Sequence, residues 1–131
     1  MHIRDIFKNN RTSLSFEFFP PKSPAASENL FNAIAELQNL APAYVSVTYG
    51  AGGTTRELTH DLVVRIQREI AIPVVSHLTC VGSTKDEILA ILNRYSEKGI
   101  QNIMALRGDA PKGSLNWQAT EGGFTYAKEL V

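Results

Sequence analysis

The chain has 131 residues, enough for one domain with a sizeable core. Its 13 basic and 13 acidic residues balance, and no basic cluster carries interleaved aromatics, which argues against nucleic acid or a membrane surface as a partner. Cys80 is the single cysteine, so an internal disulfide is excluded and a reducing, cytoplasmic location is favoured. No Cys/His set has the spacing of a metal site, and no apolar run approaches a membrane span, so we predict neither.

The chain opens with a predicted short helix and then a strand that carries an acidic residue among aromatics, Ser15-Phe16-Glu17-Phe18-Phe19-Pro20-Pro21. Alternation places Leu14, Phe16 and Phe18 on one face and Ser15, Glu17 and Phe19 on the other, and the two prolines end the strand. A carboxyl group that aromatic walls partly desolvate can hold a proton near neutral pH. Glu17 is therefore a candidate general acid, and a surface glutamate on an edge strand is the alternative.

Three further strand–helix units follow at similar spacing. Strands are predicted over 44–48, 73–77 and 103–106. Helix starts are marked by Ser23-Pro24, by Thr54 with Glu57 and by Thr84 with Glu87. The buried face of the helix after the second strand is predicted to consist of Leu58, Leu62, Val63, Ile66 and Ile70. An amphipathic helix is predicted to begin around Phe124, Ala127, Leu130 and Val131.

Polar residues close the four predicted strands at intervals of roughly 30 residues, the length of a βα unit. They are Glu17, Thr48, His77 and Arg107. Alternating strands and helices at this period predict a parallel sheet, whose carboxyl ends are the usual place for a ligand. The glycine loop from Gly50 lacks the third glycine of a dinucleotide fingerprint and the lysine of a P-loop, so it alone does not indicate nucleotide binding.

Five segments, in this order and spacing, resemble the methylenetetrahydrofolate reductase family from about Ser15 to the end of the chain. They are the strand around Glu17, Val45-Ser46-Val47-Thr48-Tyr49-Gly50, His77-Leu78-Thr79-Cys80, Asn102-Ile103-Met104-Ala105-Leu106-Arg107-Gly108-Asp109 and Glu121-Gly122-Gly123-Phe124-Thr125-Tyr126-Ala127. The resemblance implies a flavoprotein on a (β/α)8 TIM-type barrel that binds FAD. It would reduce 5,10-methylenetetrahydrofolate to 5-methyltetrahydrofolate with NADH or NADPH, and the sequence does not choose between these two donors.

The resemblance also implies roles for particular residues. Glu17 matches the general acid, which protonates the departing amine as the imidazolidine ring of the folate opens. Asp109 matches a residue that contacts both flavin and folate, and a turn aspartate is the alternative. Further flavin-contact positions are matched by Tyr49, Ala51, His77, Arg107, Gly108 and Ala127. Thr48 matches a contact to the nicotinamide nucleotide, although packing alone would also explain a β-branched residue there.

The length of the chain departs from the family pattern. A full barrel needs roughly 250 residues and eight βα units, whereas residues 1–131 provide four strands as a single domain. We therefore expect half a barrel from a truncated chain, with two open strand edges and either marginal stability or self-association as a homo-oligomer. Two alternatives remain open: a non-catalytic half-barrel with weak or no flavin binding, and a flavin-independent pterin-binding barrel such as a methyltransferase.

Overall fold

The computed structural model describes residues 1–9, 12–50, 55–109 and 120–131. Helices and strands alternate along the chain, as the sequence predicts. The helices are α1 (Ile3–Asn9), α2 (Pro24–Leu37), α3 (Arg56–Glu69) and α4 (Lys85–Glu97), with 3-10 turns at Gln38–Leu40 and Ala127–Glu129. The strands are β1 (Ser15–Phe18), β2 (Tyr44–Val47), β3 (Val74–Thr79) and β4 (Ile103–Leu106). Within the described ranges, no helix is both long enough and apolar enough to cross a membrane.

The four strands form one parallel sheet in the order β1-β2-β3-β4, which confirms the predicted strand–helix repeat. Each strand therefore lies beside the next one in the chain, and all four carboxyl ends meet at one edge of the sheet. β3 is two residues longer at its end than predicted, because Leu78 and Thr79 continue its pairing with β4. All six residues of β3 are buried, as expected of a strand with neighbours on both sides.

The two faces of the sheet have different surroundings. One face packs on α2, α3 and α4, whose buried side chains Ile34, Ile66 and Ile88 join the hydrophobic core. The strand residues on this face are Phe16, Phe18, Val45, Val47, Val74 and Leu78. Strand pairing places Glu17, Ser46, Val75, His77, Thr79 and Met104 on the opposite face, which we call the inner face.

Two of the predicted helix starts are confirmed by hydrogen bonds. The hydroxyl of Ser23 accepts from the backbone N–H of Ala26, with Pro24 as the first helical residue. Thr84 and Glu87 form the reciprocal capping box at α4, each side chain accepting from the other's backbone N–H. The cap residues read from the sequence therefore mark where these two helices begin.

The start of α3 differs from the prediction. Thr54 lies outside the described residues, and the N-cap is Thr55, which makes no side-chain capping bond. The Thr55 hydroxyl instead accepts from the backbone N–H of Gly50, and the Glu57 carboxylate is paired with a guanidinium of α4. Thr55 therefore precedes α3 where Thr54 was predicted to, the contacts of Thr54 lie outside the described residues, and the Glu57 carboxylate bonds Arg94 across 37 positions. Leu58, predicted to be buried, is 42% exposed.

The segment after β4 does not form the predicted amphipathic helix. It makes a single 3-10 turn, Ala127–Glu129, in which the Glu129 carboxylate accepts from the backbone N–H groups of Thr125 and Tyr126. Phe124 and Leu130 do pack against the core, so the apolar pattern identified the contacts but not the type of helix.

Candidate functional site

Glu17 lies on the inner face, one residue before the end of β1. Its side chain is 52% exposed, which contradicts the expected enclosure by aromatic walls. Phe16 and Phe18 face the helices and pack on the core, so neither can cover a carboxyl group on the other face. Phe19, predicted to share the face of Glu17, is itself 74% exposed. In this structure the carboxyl of Glu17 is open to solvent and to any ligand that enters the inner face.

His77 stands beside Glu17 across β2. Its Nε2 lies 3.4 Å from Oε2 of Glu17, and its side chain is 8% exposed. The contact lacks hydrogen-bond geometry, so among the described residues Nε2 has no hydrogen-bond partner. Burial lowers the pKa of His77, and the nearby Glu17 carboxylate only partly opposes that effect. The imidazole is therefore neutral near neutral pH, and the pair is a close polar contact rather than an ion pair.

A cavity of about 350 Å³ opens where β2, β3 and β4 end. Its described lining is Tyr49, Thr79, Leu106, Arg107, Gly108 and Asp109. Four of these six residues were predicted from the sequence to contact the flavin. Thr79 was not, although its position could have been found, since it lies two residues after His77 on the same face of the same strand.

Tyr49 is held in the wall of this cavity by a residue that the sequence reasoning missed. The guanidinium of Arg56 donates from Nε to the Tyr49 hydroxyl at 3.0 Å and from a terminal nitrogen to the hydroxyl of Ser83 at 2.8 Å. Burial raises the pKa of Tyr49, and the hydrogen bond from Arg56 works against that rise. Arg56 thereby links the segments that follow β2 and β3. No local sequence motif predicts such a long-range contact.

Gly108 is required by the backbone at the cavity wall. Its φ is +89°, and a Cβ there would collide with the side chain of Val81 and approach that of Thr79. Its neighbours Arg107 and Asp109 are both exposed at the sheet edge, with Arg107 Nε donating to the Gly108 carbonyl at 3.3 Å. An exposed guanidinium and an exposed carboxylate thus flank a fixed glycine in the lining of the cavity.

Three predicted site residues remain, Thr48, Ala127 and Ala51. Thr48 directly follows β2, where its backbone N–H donates to Phe18 and its carbonyl accepts from Thr59. Ala127 begins the last 3-10 turn and is not among the described residues that line the cavity. Ala51 lies outside the described residues.

Two further predictions concern Cys80 and metal binding. Burial raises the pKa of the Cys80 thiol, so this cysteine stays protonated and the absence of a catalytic role remains our interpretation. No group of three His, Cys, Asp or Glu side chains within the described ranges could hold a metal ion. The prediction that no metal is needed stays a prediction.

The fold and this arrangement can be compared with known proteins. The family model described as methylenetetrahydrofolate reductase matches residues 2–131 of the chain. The chain belongs to the methylenetetrahydrofolate reductase family. The match covers nearly the whole chain, including every site residue discussed above, and it confirms the resemblance that the five sequence segments indicated.

Several curated relatives of this family are similar over most of the chain. Methylenetetrahydrofolate reductase (NADH) 1 of Arabidopsis thaliana is 40% identical over 129 residues, which are 98% of this chain and 22% of the relative. The 5,10-methylenetetrahydrofolate reductase of Escherichia coli is 43% identical over 102 residues, which are 78% of this chain and 34% of the relative. The chain thus spans about a fifth to a third of the relatives' length.

Proposed function

We propose that this chain forms half of the barrel of a methylenetetrahydrofolate reductase and carries its general acid. The proposed reaction is the reduction of 5,10-methylenetetrahydrofolate to 5-methyltetrahydrofolate. The observation that supports it most is the contact between Glu17 and His77 on the inner face. The cavity around Arg107 and Asp109 lies in the same sheet, at the carboxyl ends of β2, β3 and β4. Opening of the folate ring requires a general acid, and Glu17 is the acidic side chain on this face that is open to a ligand.

The residues present fit a flavin. Two buried polar atoms on the inner face, Nε2 of His77 and Oγ1 of Thr79, have no hydrogen-bond partner among the described residues, and Tyr49 contributes an aromatic residue to the cavity lining. FAD would supply hydride transfer between the nicotinamide nucleotide and the folate when bound. We propose that it is held by His77, Tyr49, Arg107, Gly108 and Asp109, with Ala51 and Ala127 as further contacts.

Glu17 would act as the acid once a ligand covers the inner face. Its carboxyl is half-exposed in this structure, and a flat ring placed over it would remove water and favour the protonated form. It would then donate a proton to the amine that departs from the bridging carbon, leaving an electrophilic iminium on the folate. Nε2 of His77 lies 3.4 Å from Oε2 of Glu17, close enough to help position the carboxyl.

Asp109 is the proposed contact to the folate ring. Its carboxylate is exposed at the cavity edge, where it can accept two hydrogen bonds from an amino-pyrimidinone edge. The hydride donor is proposed to contact Thr48. The name of the Arabidopsis relative specifies NADH, so NADH is the first donor to test, with NADPH beside it.

Because the chain spans only part of the length of its relatives, its assembly needs a proposal of its own. We propose that the four βα units are half of an eight-stranded barrel and that residues 1–131 act as one domain. β1 and β4 are the ends of the strand order, so each has one edge without a strand partner in this sheet. Self-association as a homo-oligomer would cover these edges. A cytoplasmic location is also proposed, on the composition alone.

The experiment separates the two half-reactions. The chain is loaded with FAD, treated without oxygen with NADH or NADPH, and then mixed with methylenetetrahydrofolate. We expect bleaching of the flavin absorbance in the first step and its return in the second. Glu17→Gln should leave the first step intact and abolish the second, and Glu36→Gln on the exposed side of α2 should change neither.

Three outcomes would contradict parts of the proposal. Equal folate steps in the unmodified chain and Glu17→Gln would refute the general acid. Flavin binding without either half-reaction would favour the non-catalytic half-barrel. A colourless chain that binds folate would favour the flavin-independent alternative.

A further inference from the structure

Thr79 combines burial with a missing hydrogen bond. It is the last residue of β3 and only 5% exposed, yet its Oγ1 has no partner among the described residues. Other buried hydroxyls nearby are paired: Thr59 Oγ1 donates to the Thr48 carbonyl at 3.0 Å, and Ser76 Oγ donates to Tyr95 at 2.8 Å. An unpaired buried hydroxyl weakens folding, so its presence at this position needs an explanation.

The position of Thr79 points to a ligand. Alternation along β3 puts it on the inner face with His77, and it pairs in register with Leu106, directly before Arg107. It also lines the cavity together with Tyr49 and Gly108. Thr79 therefore belongs to the wall that the proposed flavin contacts share, and its side chain is on the inner face rather than on the face that α3 and α4 cover.

We propose that the Thr79 hydroxyl is a direct binding contact that donates a hydrogen bond to the isoalloxazine ring of FAD. The ring's carbonyl oxygens and ring nitrogens are acceptors, and a hydroxyl that the protein leaves unpaired can serve them. This inference rests on the proposed function, because it names the flavin of that site. It also explains why a buried strand end holds threonine rather than valine, which has the same shape.

The test compares two threonine-to-valine changes. Thr79→Val removes the unpaired hydroxyl, and Thr59→Val removes a paired one in a fully buried position, so it serves as the matched control. Two quantities are measured for each variant: the dissociation constant of FAD, by flavin fluorescence, and the urea midpoint of unfolding without flavin.

The two variants should change opposite quantities. Thr79→Val should raise the dissociation constant roughly three- to tenfold, the size of one hydrogen bond, while its urea midpoint stays equal or rises. Thr59→Val should lower the urea midpoint and leave the dissociation constant of the folded protein unchanged. Thr79→Ser, which keeps a hydroxyl, should bind FAD within about twofold of the unmodified chain.

Each other outcome decides against the inference. Unchanged FAD affinity in Thr79→Val, with the unmodified chain binding FAD, overturns the role of Thr79 alone. A lowered urea midpoint in Thr79→Val without flavin means that the hydroxyl is already paired within the protein, which also overturns it. If the unmodified chain binds no FAD, the flavin part of the proposed function fails, and the role of Thr79 fails with it.

Discussion

Gly108→Ala tests whether the wall of the cavity is as tightly built as the structure shows. At φ +89° an L-residue is strained by about 1–2 kcal/mol. The new methyl group would also collide with the side chain of Val81 and lie 3.0 Å from Cβ of Thr79. Overpacking of this kind costs about 1–3 kcal/mol, so the substitution should lower the free energy of unfolding by about 2–5 kcal/mol.

Gly122→Ala is the matched control, because it shares the backbone strain but not the collision. Its φ is +72°, and no atom lies within 4 Å of the position that a Cβ would take. We expect a loss of about 1–2 kcal/mol from the strain alone. The difference between the two variants, about 1–3 kcal/mol, therefore measures the packing around Gly108.

The assay is urea unfolding followed by circular dichroism, with all proteins under the same buffer and salt. The free energy of unfolding of Gly108→Ala should fall clearly below that of Gly122→Ala. Equal values for the two variants would refute the reasoning, because they would mean that Val81 and Thr79 give way without cost.

Three further predictions concern the core, a cap and pH. Tyr95→Phe removes the buried hydrogen bond from Ser76 and should lower the free energy of unfolding by about 1–3 kcal/mol in the same urea assay. Thr84→Ala removes the capping box of α4 and should cost about 0.5–2 kcal/mol, whereas Thr84→Ser should retain most of the stability, as urea midpoints would show. Burial lowers the pKa of His77 below its ordinary 6.5, so the folded chain binds fewer protons than the unfolded one, and stability should fall as the pH drops below about 6.5. Urea midpoints measured above and below that pH should differ less in His77→Gln; an identical difference in both proteins would assign the pH effect to other groups.

The elements predicted well are those that local chemistry specifies. β1 and β4 follow from short alternating or apolar runs, and the starts of α2 and α4 follow from Ser23-Pro24 and Thr84 with Glu87. The parallel order of the sheet follows from the even spacing of strands and helices. These signals lie within a few residues of each other in the chain, so a single sequence reveals them.

The features that sequence reasoning missed depend on residues far apart in the chain. Glu57 pairs with Arg94 of α4 instead of capping α3, and this contact lowers the pKa of Glu57. Arg56 reaches Ser83 across 27 positions to fix Tyr49. A hydrophobic periodicity or a short motif covers neighbouring residues only, so it cannot predict partners that lie this far apart in the chain.

Glu17 and Thr79 show the same limit within the candidate site. Alternation alone already puts Phe16 and Phe18 on the face opposite Glu17, so the aromatic residues beside it in sequence could not supply the expected enclosure. The same rule would have identified Thr79 from His77, had it been applied along β3. Alternation therefore predicts which side chains share a face, and only the folded structure shows what covers them.

The most direct test of the account is a visible absorption spectrum of the purified chain after incubation with FAD and desalting. If the inner face around His77 and Thr79 and the cavity edge at Asp109 hold a flavin, the protein will keep the flavin bands, and NADH or NADPH added without oxygen will bleach them. A protein that emerges colourless would contradict the account, since the four strands would then belong to the family without forming its flavin site.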